Sequence, residues 1–140
     1  MQTRNDRVDA WMTSEVATLE PETTVGEAAR RLAGQMVSCV LVVEEGRPIG
    51  IVTERDVSVC VAVRAVSSLE DVTVAEIMGA PLVSVRPDDF LSTALERVEN
   101  LLVRHVPVLD AKGCLLGILT QTDLLRACAS LAGLTQGSSR

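Results

Sequence analysis

Aromatic residues are nearly missing from these 140 residues: one Trp, one Phe and no Tyr. That removes the stacking platforms on which single-stranded nucleic acids are held. Lysine is as scarce, Lys112 being the single one among 13 basic residues, and His105 is the only histidine. Acidic residues number 19, for a net charge of −6. An electrostatic grip on a nucleic-acid backbone or an anionic lipid surface is therefore not expected. No apolar run approaches the ~18 residues of a membrane span. The start of the chain, Met1-Gln2-Thr3-Arg4-Asn5-Asp6-Arg7, is polar and has no apolar signal core behind it. The expectation is a cytoplasmic protein with neither nucleic acid nor membrane as a partner. The four cysteines (Cys39, Cys60, Cys114, Cys128) show no C-x-x-C spacing and lie among Val, Leu and Ala. They read as reduced, buried, inert thiols. One His and scattered Cys provide no metal-ligand cluster and no base beside a nucleophile, so no metal site, no catalytic residue and no enzyme are expected.

What is present is apolar aliphatic sequence, 47% of the chain at a mean hydropathy of +0.28. That share is high for so short a soluble chain and predicts that some of it is buried in a homodimer interface. Val57, Val59, Val61, Val63, Leu124, Leu125, Ala127 and Leu131 are the candidates.

The sequence repeats itself. A shift of 66 superposes Met12 on Met78, Pro21 on Pro87, Ala28 on Ala94, Arg31 on Arg97, Val37 on Val103, Val40 on Val106 and Val42 on Val108. One inserted residue near Lys112 makes the shift 67, and Gly46, Gly50, Ile51, Thr53 and Asp56 then meet Gly113, Gly117, Ile118, Thr120 and Asp123. The repeats occupy 8–66 and 75–132, with 67–74 as a linker and polar tails at 1–7 and 133–140.

Each copy predicts β-α-β-β-α. Short strands fall near Val16–Leu19 and Leu82–Val85. Thr24-x-x-Glu27 has the form of a capping box. Apolar residues at 25, 28, 29, 32 and 36 recur at 91, 94, 95, 98 and 102 and trace one helical face. Two strands follow in each copy, Val40–Val43 and Ile49–Thr53, then Val106–Leu109 and Leu116–Thr120, joined by Glu44-Glu45-Gly46 and Asp110-Ala111-Lys112-Gly113 turns. A second helix follows Thr53 and Thr120. The segment Val57–Arg64 is locally strand-like, alternating and β-branched, but its repeat partner Asp123–Leu131 has helical propensity. Both are therefore read as helices.

Gly50-Ile-Val-Thr-Glu-Arg-Asp56 and Gly117-Ile-Leu-Thr-Gln-Thr-Asp123 lie where a strand passes into a helix. Free N–H groups and the positive dipole end make that place a phosphate seat. Thr can donate to phosphate, Asp can accept both hydroxyls of a ribose, and Gly permits close backbone approach. Thr-x-x-Asp before an apolar run is equally a plain capping box, and recurrence weakens that alternative without removing it. His105 is either a phosphate contact or a half-buried strand residue. Arg55 and Arg64 are either solvated helix charges or phosphate or dimer contacts.

Over roughly residues 8–130 the sequence resembles a tandem cystathionine β-synthase (CBS) domain pair, or Bateman module. The resemblance rests on Trp11-Met-Thr with Pro21, on Val37–Val43, on Arg104-His-Val-Pro-Val108 and on both Gly-Ile-x-Thr-x-x-Asp segments. It implies an α/β (α+β) fold of two β-α-β-β-α repeats packed with pseudo-two-fold symmetry through their sheets. It also implies a regulatory module without catalytic activity, dimeric, binding AMP, ADP or ATP in clefts between the repeats and acting on an unknown protein target in trans. Such a ligand is regulatory, not an obligatory cofactor. S-adenosylmethionine or NAD sensing, and ligand-independent dimerisation or docking, are the alternatives. Carried over residue by residue, one nucleotide site joins Ile118, Thr120 and Asp123 to Val16, Ala17, Val37 and Ser38. The other joins Ile51, Thr53 and Asp56 to Leu82, Val83, Val103 and Arg104, with His105 beside it. Ser38-Cys39 stands where the second copy has Arg104-His105, and Leu41 where it has Pro107. Thr120 and Asp123 belong to the copy that also carries Arg104 and His105, a segment that the family geometry turns toward the central cleft where phosphates gather. The resemblance therefore implies that the Thr120/Asp123 site binds more tightly.

Overall fold

The computed structural model describes residues 6–64, 68–80, 82–101 and 104–133. Its backbone divides into two compact units, Val16–Leu82 on one hand and Met1–Glu15 with Val83–Arg140 on the other.

The Val16–Leu82 unit runs β1 (Thr18–Leu19), α1 (Val25–Gln35), β2 (Cys39–Glu44), β3 (Arg47–Thr53), α2 (Glu54–Val63), a 3-10 turn (Leu69–Asp71) and α3 (Val74–Ile77). The sheet order is β1-β2-β3, with β1 parallel and β3 antiparallel to β2. Thr24 caps α1 by accepting from the Glu27 N–H at 3.1 Å. The expected reciprocal half is missing: the Glu27 carboxylate instead meets Arg30 at 3.1 Å. Val25, Ala28 and Leu32 form the buried stripe of α1; Ala28 and Leu32 share a core with Val40, Val42 and Val52, and Val25 clusters with Cys60 and Val72. Met36, counted by periodicity with that stripe, is 91% exposed because it ends the helix at φ 52° in the left-handed region. Glu45 and Gly46 both have positive φ, the two-residue geometry that closes a tight antiparallel hairpin.

The segment Val57–Val63 is helical despite its β-branched alternation. Thr53 and Asp56 nucleate the helix from outside that segment, and burial of Cys60 against Val25 and Val72 holds it in place. Tertiary packing thereby overrides local propensity. The stretch read as a linker, 67–74, carries the 3-10 turn and buries Val72 and Val74.

The other unit begins with a 3-10 turn (Val8–Ala10) and continues with α4 (Leu91–Leu101), β4 (His105–Leu109), β5 (Leu115–Thr120) and α5 (Gln121–Leu131). β4 and β5 are antiparallel. The strand expected near Leu82–Val85 is reduced to a single parallel bridge, Val85 to Val108. Val8, Leu91, Ala94, Val106, Val108, Leu119 and Leu124 make the core, with Trp11 and Met12 packed against it. Leu102, expected on the α4 face, lies outside the described residues.

Three expectations are corrected by burial. Cys39 and Cys60 are buried as expected, but Cys114 is only half-buried and Cys128 is exposed, because 128 falls on the outer side of α5. Leu124 and Ala127 are core residues of their own unit, turned inward by the same periodicity that leaves Leu125 exposed. Val57, another candidate interface residue, is half-buried against its own unit's core.

Candidate functional site

Each unit contains one strand-to-helix station, and the two are built alike. In the first, Thr53 Oγ1 accepts from the Asp56 N–H at 3.3 Å and Asp56 Oδ2 accepts from the Thr53 N–H at 2.8 Å. In the second, the corresponding distances are 3.1 Å for Thr120 and 3.0 Å for Asp123. Both are complete capping boxes. The helical role of Thr-x-x-Asp is therefore filled in both copies, and any ligand must use what the caps leave over.

The start of the preceding strand lies directly across from each Thr. Cys39 pairs with Thr53, which puts Ser38 beside the first station. His105 pairs with Thr120, and the Arg104 carbonyl accepts from the Gln121 N–H at 3.0 Å. Arg104 is exposed. His105 is half-buried, and burial, followed by the charge of Arg104, pulls its imidazole below the ordinary range. Burial alone pushes the Cys39 thiol up to about 11.

The sites carried over from the resemblance draw on both units. Val16, Ala17, Val37, Ser38, Ile51, Thr53, Asp56 and Leu82 lie in Val16–Leu82, whereas Val83, Arg104, His105, Ile118, Thr120 and Asp123 lie in the other. Within the first unit the Leu41 N–H donates to the Ala17 carbonyl at 2.9 Å, which fixes the 16–17 segment on β2. Val103 lies outside the described residues. Arg55 is exposed, whereas Arg64 meets Glu76 at 3.2 Å.

Thr13 bridges Ile118 and Gly79 bridges Ile51, so the short segments at 12–13 and 78–79 each lie along the edge strand of a station. A Cβ on Gly50 would stand 2.3 Å from the Met78 sulfur, and one on Gly117 would stand 2.6 Å from the Thr13 carbonyl oxygen. Both glycines make room for the chain itself. Sequence reasoning missed Thr13, Met12 and Met78 as neighbours of the stations. The Met12/Met78 identity marked the two methionines as a pair but not what they touch, and Thr13, whose counterpart is Gly79, carried no such mark.

The stations are not equivalent in their carboxylates. Asp123 is 4% exposed; its Oδ2 also accepts from Thr13 Oγ1 at 3.4 Å, and its Oδ1 meets Arg126 at 2.7 Å. Asp56 is half-buried and lines a groove of about 230 Å³ with Val59, Cys60, Val63, Arg64 and Glu76. Among the described residues, no three His, Cys, Asp or Glu side chains converge as a metal site would require, and no helix is long and apolar enough to cross a membrane.

Two copies of one α/β unit, each with a capped strand-to-helix station, define a duplicated module. The chain belongs to the CBS domain family, which it matches at residues 8–62 and 74–130. It is 34% identical over 115 residues to the CBS domain-containing protein YhcV of Bacillus subtilis, covering 81% of this chain and 79% of that one. An uncharacterized protein of Methanopyrus kandleri, MK0525, is 31% identical over 113 residues, and the match covers 80% of this chain but only 57% of that protein's length. Among solved structures, the CBS-domain containing protein ATU1752 of Agrobacterium tumefaciens is similar at a TM-score of 0.78 and 30% identity, over 86% of this chain and 98% of that one. The cytosolic domain of the Mg2+ channel MgtE in complex with ATP is similar at a TM-score of 0.74 and 29% identity, over 87% of this chain and 48% of that one.

Proposed function

We propose that this chain is a regulatory module, without chemistry of its own, that binds adenosine-containing nucleotides of the AMP, ADP and ATP class and passes their state to a partner protein in trans. The observation that carries the reading is the doubled station. Each presents helix N-terminal N–H groups, a Thr hydroxyl and an Asp carboxylate at one place in the fold, the donor and acceptor set that a phosphorylated sugar needs. The ATP complex of the MgtE cytosolic domain supports the ligand class. Val16, Ala17, Val37, Ser38, Leu82, Val83, Val103, Arg104 and His105 complete the proposed contacts. The aliphatic ones suit a base held without aromatic stacking, in a chain that is 1% aromatic.

A thermal-shift screen with AMP, ADP, ATP, S-adenosylmethionine and NAD tests the reading, alongside mass spectrometry of small molecules that co-purify. A ligand at 100 times its Kd stabilises the fold by about 2.7 kcal/mol. No shift with any of them would leave the second reading, dimerisation or docking without a ligand.

That second reading has an observation of its own. Val59, Val61 and Val63 on α2 and Leu125 and Leu131 on α5 are large apolar side chains, 46–76% exposed. We propose that a second copy of the chain covers them. The ligand screen decides only whether a nucleotide binds; sedimentation decides whether the chain dimerises.

A further inference from the structure

We infer that two copies of this chain complete each other by exchanging the leading segment Arg7–Thr13, so that each receives Met12 and Thr13 of its second station from the other. Each unit is already built from two copies of the repeat. The leading segment of the first repeat is seated on the body of the second, and that of the second on the body of the first. The seats match bond for bond. The Val8 N–H donates to the Asp89 carbonyl and the Asp9 N–H to the Pro87 carbonyl, both at 2.9 Å. In the other unit the Val74 N–H donates to the Thr23 carbonyl at 2.7 Å and the Ala75 N–H to the Pro21 carbonyl at 3.2 Å. Thr13 and Ile118 pair through two backbone hydrogen bonds of 2.8 and 2.9 Å, as Gly79 and Ile51 do at 2.8 and 3.1 Å. Val8 and Val74 are both fully buried. A seat of this kind thus takes a leading segment from a repeat other than its own, through backbone groups and one valine.

Whether that other repeat belongs to the same chain is decided by the connection. Ser14 and Glu15 alone join Thr13 to Val16, where the other unit begins, and both are exposed and outside any helix or strand. A short hinge between an element and the rest of its chain favours exchange between identical chains, because the contacts are the same in both forms. The segment Val74–Gly79 is held differently. It lies in one contiguous unit with its seat, and Glu76 ties it to Arg64 at the end of α2 at 3.2 Å. The first segment has Ala10 at that place in the repeat. Exchange therefore belongs to Arg7–Thr13. It uses no residue of α2 and only the seat on the other body, so it is separate from the covering of the apolar faces of α2 and α5.

A disulfide placed across the seat reports whose segment fills it. Arg7 and Phe90 are antiparallel bridge partners, a pairing whose Cα separation a disulfide spans. The full chain carrying Arg7→Cys and Phe90→Cys, with Cys114→Ser and Cys128→Ser, is refolded from urea at a series of concentrations, oxidised, and separated under denaturing, non-reducing conditions. Raising the chain concentration about tenfold should raise the ratio of interchain to intrachain product by a similar factor. Thr24→Cys with Thr73→Cys, across the equivalent bridge of the other unit, should give intrachain product throughout. Thr13→Cys with Ile118→Cys crosses the first seat at its far end and should behave as the Arg7/Phe90 pair does, which keeps the test intact if Phe90→Cys fails to fold. Intrachain product alone at every concentration, no disulfide across the seat, or as much interchain product from the Thr24/Thr73 pair overturns the inference. A dimer held only by the faces of α2 and α5 gives the first of these results.

Discussion

Met78 lies over Gly50 so closely that a Cβ there would stand 2.3 Å from its sulfur and 2.9 Å from its own Cβ. The matching contact at Gly117 is with backbone, the Thr13 carbonyl oxygen at 2.6 Å, and Thr13 is itself tied to Ile118 by hydrogen bonds of 2.8 and 2.9 Å. A methionine side chain can swing aside, whereas a bridged carbonyl cannot move without breaking its bonds. Gly117→Ala should therefore be the more destabilising of the two, by about 1–3 kcal/mol, and Met78→Ala should partly rescue Gly50→Ala but have no effect on Gly117→Ala. Urea midpoints of the four variants check this.

That contact also shows where sequence reading stopped. The repeat and most of its elements, the strand expected near Leu82–Val85 excepted, were legible because identities recur at fixed spacing and apolar positions recur with helical and strand periods. Even the strand-like Val57–Val63 was assigned correctly to a helix once its repeat partner was considered. The Thr-x-x-Asp caps were legible because both halves are local, three residues apart. Met12 and Thr13 were not, since they lie against residues 117–118, more than 100 positions away, in the unit that houses the second repeat. No periodicity encodes a contact of that range. For the same reason the partners of Asp123 went unseen: Thr13 is 110 residues from it. The inward turn of Leu124 and Ala127 was missed because a helix that is apolar on several sides does not announce which side is buried.

Cysteine reactivity should separate the four thiols. Cys128 is exposed, Cys60 is 3% exposed, and the thiolate of Cys39 is disfavoured by burial that raises its thiol to about 11. The thiolate is the reactive form. An uncharged maleimide at neutral pH should label Cys128 first, and Cys39 and Cys60 only after denaturant is added. Peptide mapping reads the order, and early labelling of Cys39 would contradict the packing of β2.

The apolar faces of α2 and α5 give a test with an internal control. Val61 is 58% exposed, so Val61→Glu should leave the fold intact and weaken a dimer roughly tenfold or more by placing an unpaired carboxylate in the interface. Leu124 is 3% exposed within its own core, and Leu124→Ala should instead lower stability by about 2–5 kcal/mol. Sedimentation and denaturation of both variants distinguish the two effects. A wild-type monomer at micromolar concentration would refute the dimer.

Glu70 ties the 3-10 turn to the start of α1. Its carboxylate accepts from Thr24 Oγ1 at 2.8 Å and from Arg30 at 3.0 Å, and it sits so close over Gly26 that a Cβ there would meet it at 2.1 Å. The hydrogen bond from Thr24 and then that from Arg30 hold this carboxyl below its ordinary value of 4.5. A folded-state value depressed in this way contributes stability that is present above the unfolded pKa and is lost as pH falls through the folded one. Wild type should therefore be more stable than Glu70→Gln at neutral pH, and the gap should shrink below about pH 4.3 and close in stronger acid. The side chain is about half exposed, so the gap should also narrow with added salt. Thermal unfolding of both proteins as a function of pH measures it. A gap that persists unchanged through the acid limb would mean that Glu70 acts through shape and not through charge.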